Sequence, residues 1–395
     1  MLISIVLALG AVLLSVPACA LLTLTLAAGR RPVAANVIAS GLAPRLAVLV
    51  PAHNESRNVL PTIACLLPQM KLGDRLLVIA DNCTDDTAEL AAAGGATVLV
   101  RHNLELRGKG FALAFGIDAL RADPPDVVAV VDADCTVSPD AIERIACRCQ
   151  ATAKPVQMLN LMHASTGAGV RLRILEFAMV MKNLVRPLGA YRLGGVCHLM
   201  GTGMALPWAL MSTARLATGH IAEDMKLGID MALQGHPSQF FLDAEISSMF
   251  PDDTSVARTQ KSRWEHGHLA LITEELPRLI MAALRLHRWT LFVLALDLLI
   301  PPMALYVLSL GTVAVAIGLT SLFSPVLAPA AAVLLVATAM VVLAVGLAWW
   351  RYGRHLLTAR EILFTPLYAI WKLPVYVAYA LRRRSGWVRT KRKSE

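Results

Sequence analysis

Two long stretches without a charged residue constrain this chain more than any other feature of its sequence. Residues 1–29 contain no Asp, Glu, Lys or Arg, and neither do residues 298–350. Because an apolar helix needs about 20 residues to cross a bilayer, the first stretch can span once and the second twice. Of the 395 residues, 56% are hydrophobic and only 16% are charged, which is too apolar for an ordinary soluble enzyme. Part of the chain is therefore predicted to lie in a membrane.

The N-terminal stretch has two interpretations, an uncleaved anchor and a cleaved secretory signal. The sequence "ACA" at 18–20 resembles a small-residue cleavage site, but no basic segment precedes the apolar run. The first cations, Arg30 and Arg31, follow it. Since positive charge after a spanning helix keeps that side in the cytosol, the pattern favours an anchor with a cytosolic domain behind it.

The C-terminal third is predicted to return to the same side of the membrane. Serine and prolines at Ser321–Pro329 indicate a hairpin between two spans, and Arg351 then begins a basic border. The segment 361–381 contains two prolines and a lysine, so we expect an interfacial or re-entrant helix pair there. The predicted organisation is an anchor over 1–29, a cytosolic domain over 42–275, and interfacial and transmembrane helices with a basic tail over 276–395.

The net charge of +9 at first suggests a nucleic-acid partner. The cations, however, lie mainly at the membrane borders, notably in "LRRRSGWVRTKRK" at 381–393. Anionic lipid headgroups and the usual excess of positive charge on the cytosolic side both account for that placement. We therefore predict contact with the lipid bilayer of the inner (plasma) membrane and no nucleic-acid partner.

The region between the apolar stretches alternates short apolar runs with amphipathic segments. The runs are continuous and rich in β-branched residues, as expected for strands that are buried on both faces. They are "RLAVLV" at 45–50, "LLVIA" at 76–80, "ATVLV" at 96–100 and "VVAVV" at 127–131. This order predicts an α/β fold with a doubly wound, mostly parallel sheet, in addition to the transmembrane helices.

Polar residues directly follow three of these predicted strands. The loops are "PAHNES" at 51–56, "DNCTDDTA" at 81–88 and "DADC" at 132–135. Each could be a helix cap, but ligands of open α/β sheets bind at the carboxyl ends of the strands, so together they predict one binding crevice. "RGKGFAL" at 107–113 adds a lysine at a helix start, where a phosphate can bind. Buried aspartates need a positive partner, and a metal ion bound to a phosphate is our candidate.

The ordered set of motifs resembles the membrane-integrated family 2 glycosyltransferases, the class of cellulose, chitin and hyaluronan synthases and many exopolysaccharide enzymes. Besides the loops above, the resemblance rests on three further motifs. They are "GTGMAL" at 201–206, "AEDMKLG" at 222–228 and "QKSRW" at 260–264. The resemblance implies a fold of the GT-A type and inverting, β-forming transfer from a UDP-sugar to a saccharide acceptor, in extracellular polysaccharide synthesis.

The resemblance also implies roles for the donor-side residues. Asp134 would bind Mg²⁺ or Mn²⁺, with Asp132 nearer the ribose and the metal shell, and Arg263 would meet the pyrophosphate. Oxygen ligands without a His-Cys cluster suit those ions and argue against zinc. The remaining residues predicted to bind the UDP-sugar are Pro51, Ala52, His53, Glu55, Asp81 and Lys109.

On the acceptor side, the resemblance makes Asp224 the general base, with Glu223 beside it. Without the other motifs, these two would be read as ordinary carboxylates at a helix N-terminus. Trp264 would stack under the acceptor sugar, although a tryptophan there could also anchor an interfacial helix. The other residues predicted on the acceptor path are Gly201, Thr202, Gly203 and Gln260.

Several alternatives remain open at this stage. A nucleotidyltransferase would share the sheet and the carboxylates, but its glycine-rich G-x-G-x-R start is absent near residue 50. A transporter would carry polar residues in several spans, whereas only Asp297 qualifies, and that residue is either functional or interfacial. Within the family, the alternative is a lipid glycosyltransferase that adds a single sugar to a ceramide or a polyprenyl phosphate. The small number of predicted spans argues against a polymer-translocating channel within the chain. Export of a polymer would then require partner proteins.

Overall fold

The computed structural model describes residues 2–29, 43–250 and 254–365, and within these ranges the chain divides into two compact units. The sheet unit comprises Pro32–His163 and Gly195–Phe250. The helix unit comprises Met1–Arg31, Ala164–Gly194 and Pro251–Glu395. The segment 164–194 interrupts the sheet unit in sequence, which the hydropathy pattern did not indicate.

A single sheet of eight strands organises the sheet unit. Its order is β3-β2-β1-β4-β7-β6-β8-β5, with β1 to β4 parallel, β7 antiparallel to both of its neighbours, β8 parallel to β6, and β5 antiparallel to β8. The strands are β1 Leu46–Ala52, β2 Arg75–Asp81, β3 Thr97–Arg101, β4 Val127–Val130, β5 Cys135–Val137, β6 Val156–His163, β7 Met204–Pro207 and β8 Gln239–Met249.

The sheet is covered on both faces, which confirms the predicted doubly wound α/β fold. Alternate residues of β1 point to opposite sides, so Val48 and Val50 pack into one hydrophobic core and Ala47 and Leu49 into another. The covering helices, numbered along the whole chain, are α2 Val59–Leu66, α3 Thr87–Ala93, α4 Lys109–Leu120, α5 Ala141–Thr152, α8 Trp208–Met211 and α9 Glu223–Leu233.

The helix unit contains the apolar stretches. Its helices are α1 Leu2–Ala28, α6 Val170–Val180, α7 Arg186–Gly194, α10 Thr254–Glu274, α11 Leu276–Leu286, α12 Trp289–Leu298, α13 Met303–Ser321, α14 Ala328–Ala348 and α15 Ala359–Leu363. Within the described residues, three segments are long and apolar enough to cross a membrane: Leu7–Ala28, Met303–Ser321 and Pro325–Gly353. The predicted hairpin at 321–329 contains the connection between α13, which ends at Ser321, and α14, which begins at Ala328.

A buried ion pair accounts for the one carboxylate in the apolar sequence before α13. Arg186 donates from Nε to Asp297 Oδ1 at 2.7 Å and from Nη2 to the Asp297 carbonyl oxygen at 2.6 Å. The two side chains are 5% and 6% exposed. Because a buried charge is stable only with a partner of good geometry, Asp297 has a structural role in joining α12 to α7.

Some predicted features lie outside the described residues. These are Arg30 and Arg31, the greater part of the predicted interfacial segment 361–381, and the basic tail. The described start of that segment is helical, because Thr358 caps α15 through a reciprocal hydrogen-bond pair with Glu361.

The pairing of β6 with β7 depends on a glycine just before β7. Gly203 has φ +63°, and a Cβ added there would lie 2.5 Å from Met158 Cγ and 2.5 Å from Ile246 Cγ2. We therefore expect Gly203→Ala to lower the free energy of unfolding by about 3 kcal/mol, because it combines overpacking with backbone strain. Denaturant unfolding of the protein in detergent micelles measures the change.

Gly73→Ala is the matched control for that substitution. Gly73 also has a positive φ, +94°, but nothing lies within 4 Å of an added Cβ. It should therefore cost only the backbone strain, about 1 kcal/mol. Equal losses in the two variants would show that the close approach at Gly203 contributes nothing.

Candidate functional site

The three polar loops of the sequence analysis meet at one edge of the sheet. They follow β1, β2 and β4, which are neighbours in the sheet and run in parallel, so their carboxyl ends lie side by side. Pro51 and Ala52 end β1 opposite Ile79 and Ala80. His53 Nδ1 then donates to the Asp81 carbonyl oxygen at 2.6 Å, joining the first loop to the second.

The rest of the first loop is fixed by side chains of the second. Asn54 adopts φ 55°, and its Oδ1 accepts from the Thr84 N–H at 2.8 Å. The Glu55 N–H donates to Thr87 Oγ1 at 2.8 Å, and the Glu55 carboxylate accepts from Asn58 at 2.8 Å. The loop predicted to hold the nucleoside is therefore held in place by hydrogen bonds, most of them to the second loop.

Asp81 ends β2 as a buried carboxylate with a buried cation. Arg101, the last residue of β3, donates from Nη1 to Asp81 Oδ1 at 2.5 Å. Asn82 donates to the same oxygen at 3.0 Å. Asp81 and Arg101 are 7% and 9% exposed, so the pair lies inside the sheet edge rather than in solvent.

The Lys109 ammonium is the centre of the candidate site. It lies at the first residue of α4 and donates to Asp132 Oδ1 after β4 and to the Gly201 carbonyl oxygen at 2.8 Å. The Asp132 N–H in turn donates to Thr202 Oγ1 at 3.0 Å. The Lys109 ammonium thus joins Asp132, a second residue predicted to bind the donor, to the glycine-rich loop predicted to line the acceptor path.

Asp224 and Glu223 lie against the same cation. Both are in the first turn of α9, and they line a cavity together with Lys109, Gly201 and Leu216. Gly201 has φ +83°, and a Cβ there would be 2.9 Å from Asp224 Oδ2, so only glycine allows this approach. The cavity places the predicted base next to the predicted donor residues.

Burial and neighbouring charges perturb the groups of this cluster. Burial raises the pKa of Asp132 above its ordinary value; Asp134 and Asp224 also raise it, while Lys109 acts in the opposite direction. Burial tends to lower the pKa of Lys109, but Asp132, Glu223 and Asp224 together raise it above its ordinary value. The site therefore holds a persistent cation among carboxylates that are close enough to repel one another.

The carboxylates fit a divalent cation that arrives with phosphate. Asp134 is half-buried two residues after Asp132, and the donors are hard oxygens. In the described parts of the chain, no cluster of three or more His, Cys, Asp or Glu side chains could hold a metal alone. Two carboxylates suit Mg²⁺ or Mn²⁺, because Mg²⁺ is typically held by one or two carboxylates plus substrate phosphates.

The remaining predicted residues belong to the helix unit. Gln260, Arg263 and Trp264 lie on α10, and the side chain of Gln260 is outside the described residues. Trp264 is half-buried, with Lys182 Nζ 5.7 Å from its ring centroid. Their predicted roles in pyrophosphate and acceptor binding stay predictions.

Arg101 is the polar residue of this edge that the sequence analysis missed. The signal was present, since Arg101 directly follows the buried run "ATVLV", as the three polar loops follow theirs. It was overlooked because a single arginine after a strand has no motif around it.

Comparisons with known proteins place the sequence among glycosyltransferases. Residues 44–267, more than half of the chain, match the sequence model of the family described as "Glycosyltransferase like family 2". A low-salt glycan biosynthesis hexosyltransferase of Haloferax volcanii is 33% identical over 100 residues, which are 25% of this chain and 22% of that protein. A probable glycosyltransferase of Bacillus subtilis is 23% identical over 235 residues, 57% of this chain and 55% of that protein. The chain therefore aligns with only part of the length of these relatives.

A solved structure shows the same fold. A mannosyltransferase of Pyrobaculum calidifontis, in complex with GDP-mannose and Mn²⁺, superposes with a TM-score of 0.53 at 16% identity. The match covers 86% of this chain and 98% of that one. It confirms the predicted GT-A type of α/β fold.

The Lys109–Asp132 pair generates a prediction about stability. Lys109→Met leaves Asp132 beside Asp134 and Asp224 without its ammonium partner, so we expect a loss of about 1–2 kcal/mol near pH 7.5, discounted for partial exposure. A carboxyl with a raised pKa contributes stability that is present below the unfolded pKa and lost as pH rises through the folded pKa. Because Lys109 lowers the pKa of Asp132, its removal raises that pKa further, so the carboxyl of the variant binds a proton more readily and the loss should be smaller at pH 5. Denaturant unfolding at the two pH values measures the difference.

Two further variants control this experiment. Lys109→Met/Asp132→Asn removes both charges and should recover much of the lost stability. Lys71→Met breaks a half-exposed pair with Glu143 and should lower stability far less than Lys109→Met at either pH. Additive losses in the double variant would contradict the coupling of Lys109 to Asp132.

Proposed function

The chain belongs to the glycosyltransferase-like family 2, and on that premise we propose that it transfers a sugar from a UDP-sugar to a saccharide acceptor with inversion of the anomeric carbon. We place this reaction at the cytosolic face of the inner (plasma) membrane, in the synthesis of an extracellular polysaccharide. The observation that carries the proposal is the cluster in which Lys109 joins Asp132 to the Gly201 loop beside Asp224.

The donor would bind along the carboxyl edge of the sheet. In this proposal Asp81 and the loop from Pro51 to Glu55 hold the nucleoside. Lys109 provides positive charge near the diphosphate, at the N-terminus of α4, where backbone N–H groups also favour an anion. The preformed hydrogen bonds of these loops support the proposal, because little ordering would be needed on binding.

Asp134, with Asp132 beside it, would hold the metal ion. When bound, Mg²⁺ or Mn²⁺ supplies Lewis-acid stabilisation of the negative charge that develops on the departing diphosphate. The position of Lys109 supports a division of labour, since its ammonium is already engaged with Asp132 and with the Gly201 carbonyl oxygen. By the resemblance to family 2, Asp134 would bind the ion directly.

Asp224 would act as the general base. Its place in the first turn of α9, beside Gly201, allows its carboxylate to take the proton of an acceptor hydroxyl in the cavity. Glu223 lines the same cavity and would help to orient the acceptor. With one base and no covalent nucleophile in the proposed mechanism, a single displacement inverts the anomeric carbon, and an α-linked donor gives a β-linked product.

The acceptor would lie against the loop of Gly201, Thr202 and Gly203. By the resemblance to family 2, Trp264 would stack on the acceptor sugar, Gln260 would contribute to the same path, and Arg263 would meet the pyrophosphate. These three residues are retained in the proposal on their motif alone.

Membrane attachment is supported by the helix unit. The three candidate spans agree with an anchor over 1–29 and with spans inside 276–395, flanking a catalytic domain over 42–275. Basic residues on both borders favour the cytosol for that domain, which is where nucleotide sugars are available. In this proposal the partners are the UDP-sugar, a saccharide or glycolipid acceptor, the bilayer and any proteins that export the polymer.

The surface of α11 also suits a bilayer. Ile280, Met281 and Leu284 are 38%, 51% and 66% exposed, and they lie on one side of the helix. Arg278 and Arg285 adjoin that apolar stripe on the helix surface. An exposed apolar stripe beside arginines is typical of a helix that lies in the headgroup region of a membrane.

Removal of divalent cations tests the metal proposal. Because Asp132 and Asp134 repel one another and face a diphosphate, chelation should abolish UDP release from UDP-sugars, and Mg²⁺ or Mn²⁺ should restore it. Coupled detection of UDP with the detergent-purified protein measures this. Full activity in excess chelator would rule out the metal assignment.

The second test concerns the linkage of the product and the role of Asp224. Wild-type protein incubated with a panel of UDP-sugars should release UDP and form a β-linked product, which proton NMR identifies from the anomeric coupling. Asp224→Asn should reduce turnover by at least about 10²-fold, the lower end of what a positioned general base contributes, while UDP still binds.

Asp230→Asn is the matched control, because Asp230 lies on the same helix and pairs with Lys226 at 3.4 Å. It should leave turnover nearly unchanged. An α-linked product would contradict the single displacement, and normal turnover of Asp224→Asn would exclude Asp224 as the base.

A further inference from the structure

Arg101 makes contacts with two parts of the donor site at once. Its Nη1 donates to Asp81 Oδ1 at 2.5 Å, and its Nη2 donates to the Leu106 carbonyl oxygen at 2.8 Å. Its guanidinium carbon lies 5.9 Å from the centroid of the Phe111 ring, on α4. No motif or comparison on which the proposed function rests assigns a role to this residue.

The contact with Asp81 fixes the direction of a carboxylate. Arg101 and Asn82 both donate to Oδ1, so among the described residues the hydrogen bonds to this side chain are made at one oxygen. The Asp81 backbone is also held, because its carbonyl oxygen accepts from His53 at 2.6 Å. The carboxylate can therefore present Oδ2 to a ligand in a defined orientation.

The contact with Leu106 extends this order to the segment before α4. The Leu106 N–H donates to Asn103 Oδ1 at 2.8 Å, and the Asn103 N–H donates to Asn82 Oδ1 at 2.8 Å. Two residues after Leu106, Gly108 begins the turn that leads into Lys109. One guanidinium thus links the end of β2 to the segment that carries the central lysine.

We propose that Arg101 is a positioning residue that fixes Asp81 as a hydrogen-bond acceptor and thereby makes the site prefer uridine over cytidine nucleotides. This inference rests on the proposed function, in which Asp81 holds the nucleoside. It adds the residue that sets the preference for the base.

The preference follows from the hydrogen-bonding groups of the two bases. An ionised carboxylate only accepts hydrogen bonds. Uracil presents an N–H at ring position 3, which such a carboxylate can accept, whereas cytosine has a lone pair at that position and would repel it. Discrimination therefore requires that the carboxylate keep its orientation, and a buried arginine with a forked donor geometry fixes that orientation.

Three variants test the proposal. Arg101→Met removes the charge and both hydrogen bonds, whereas Arg101→Lys keeps the buried charge but cannot reach Asp81 and Leu106 in the same forked geometry. Arg45→Met is the matched control, since Arg45 pairs with Asp123 at 2.8 Å in a half-exposed Arg–Asp pair at the amino end of β1. Calorimetry measures binding of UDP and CDP to each purified protein, and turnover of the active UDP-sugar gives KM and kcat.

We expect Arg101→Met to weaken UDP binding by about 10-fold or more, since hydrogen bonds to charged groups are among the strong ones. KM for the UDP-sugar should rise by a similar factor while kcat changes less, and the ratio of UDP to CDP affinity should fall. Arg101→Lys should keep the fold and show a smaller fall in that ratio. Arg45→Met should keep the wild-type ratio.

The outcomes separate this inference from the proposed function. If wild-type protein turns over no UDP-sugar and binds no UDP, the proposed function fails. If the wild type is active but Arg101→Lys keeps the wild-type KM and the wild-type ratio of UDP to CDP affinity, the positioning role of Arg101 is wrong. A loss of kcat and stability in Arg101→Met with an unchanged affinity ratio would likewise reduce Arg101 to a structural residue.

Discussion

The Lys109 ammonium is the interaction on which the candidate site depends. It brings together a residue after β4, the loop before β7 and the start of α4, three segments that are far apart in sequence. Without this cation, Asp132 would be a partly buried carboxylate beside Asp134 and Asp224. The repulsion among these carboxylates would then oppose the approach of the segments that carry them. In the proposed function the same charge also lies near the diphosphate, so stability and proposed chemistry share one group.

The sheet explains why sequence patterns located so much of this edge. Strands buried on both faces leave continuous apolar runs, and the first polar residue after each run marks the carboxyl end, as Asp81 and Asp132 do. The four parallel strands were therefore predictable. Strands β5 and β7 were not, because neither lies in a continuous run of β-branched apolar residues like the one that contains β4, and their places in the sheet are set by pairing with distant segments.

Contacts between side chains from different strands were the part that the sequence could not supply. The motifs indicated Lys109 and Asp132 separately, but only the folded chain shows that one binds the other rather than a phosphate alone. For a related reason, the sequence did not show that a segment of the helix unit lies between two segments of the sheet unit. Residues 164–194 have mixed polarity and resemble the rest of the soluble region, yet they pack with the apolar helices, where Arg186 meets Asp297.

Two buried Arg–Asp pairs show why burial of a charge does not by itself identify a functional site. In the sequence, Asp297 attracts attention because it interrupts an apolar segment, and Arg101 attracts none. In the structure, Arg186 donates to both the side chain and the backbone of Asp297, so that pair joins two helices. Arg101 instead binds one oxygen of Asp81 and a loop carbonyl that leads to Lys109, at the edge where parallel strands end. The two pairs differ in the second contact of each arginine, which is the Asp297 backbone for Arg186 and the loop before α4 for Arg101. This difference favours Asp81 as the carboxylate that can accept a hydrogen bond from a ligand.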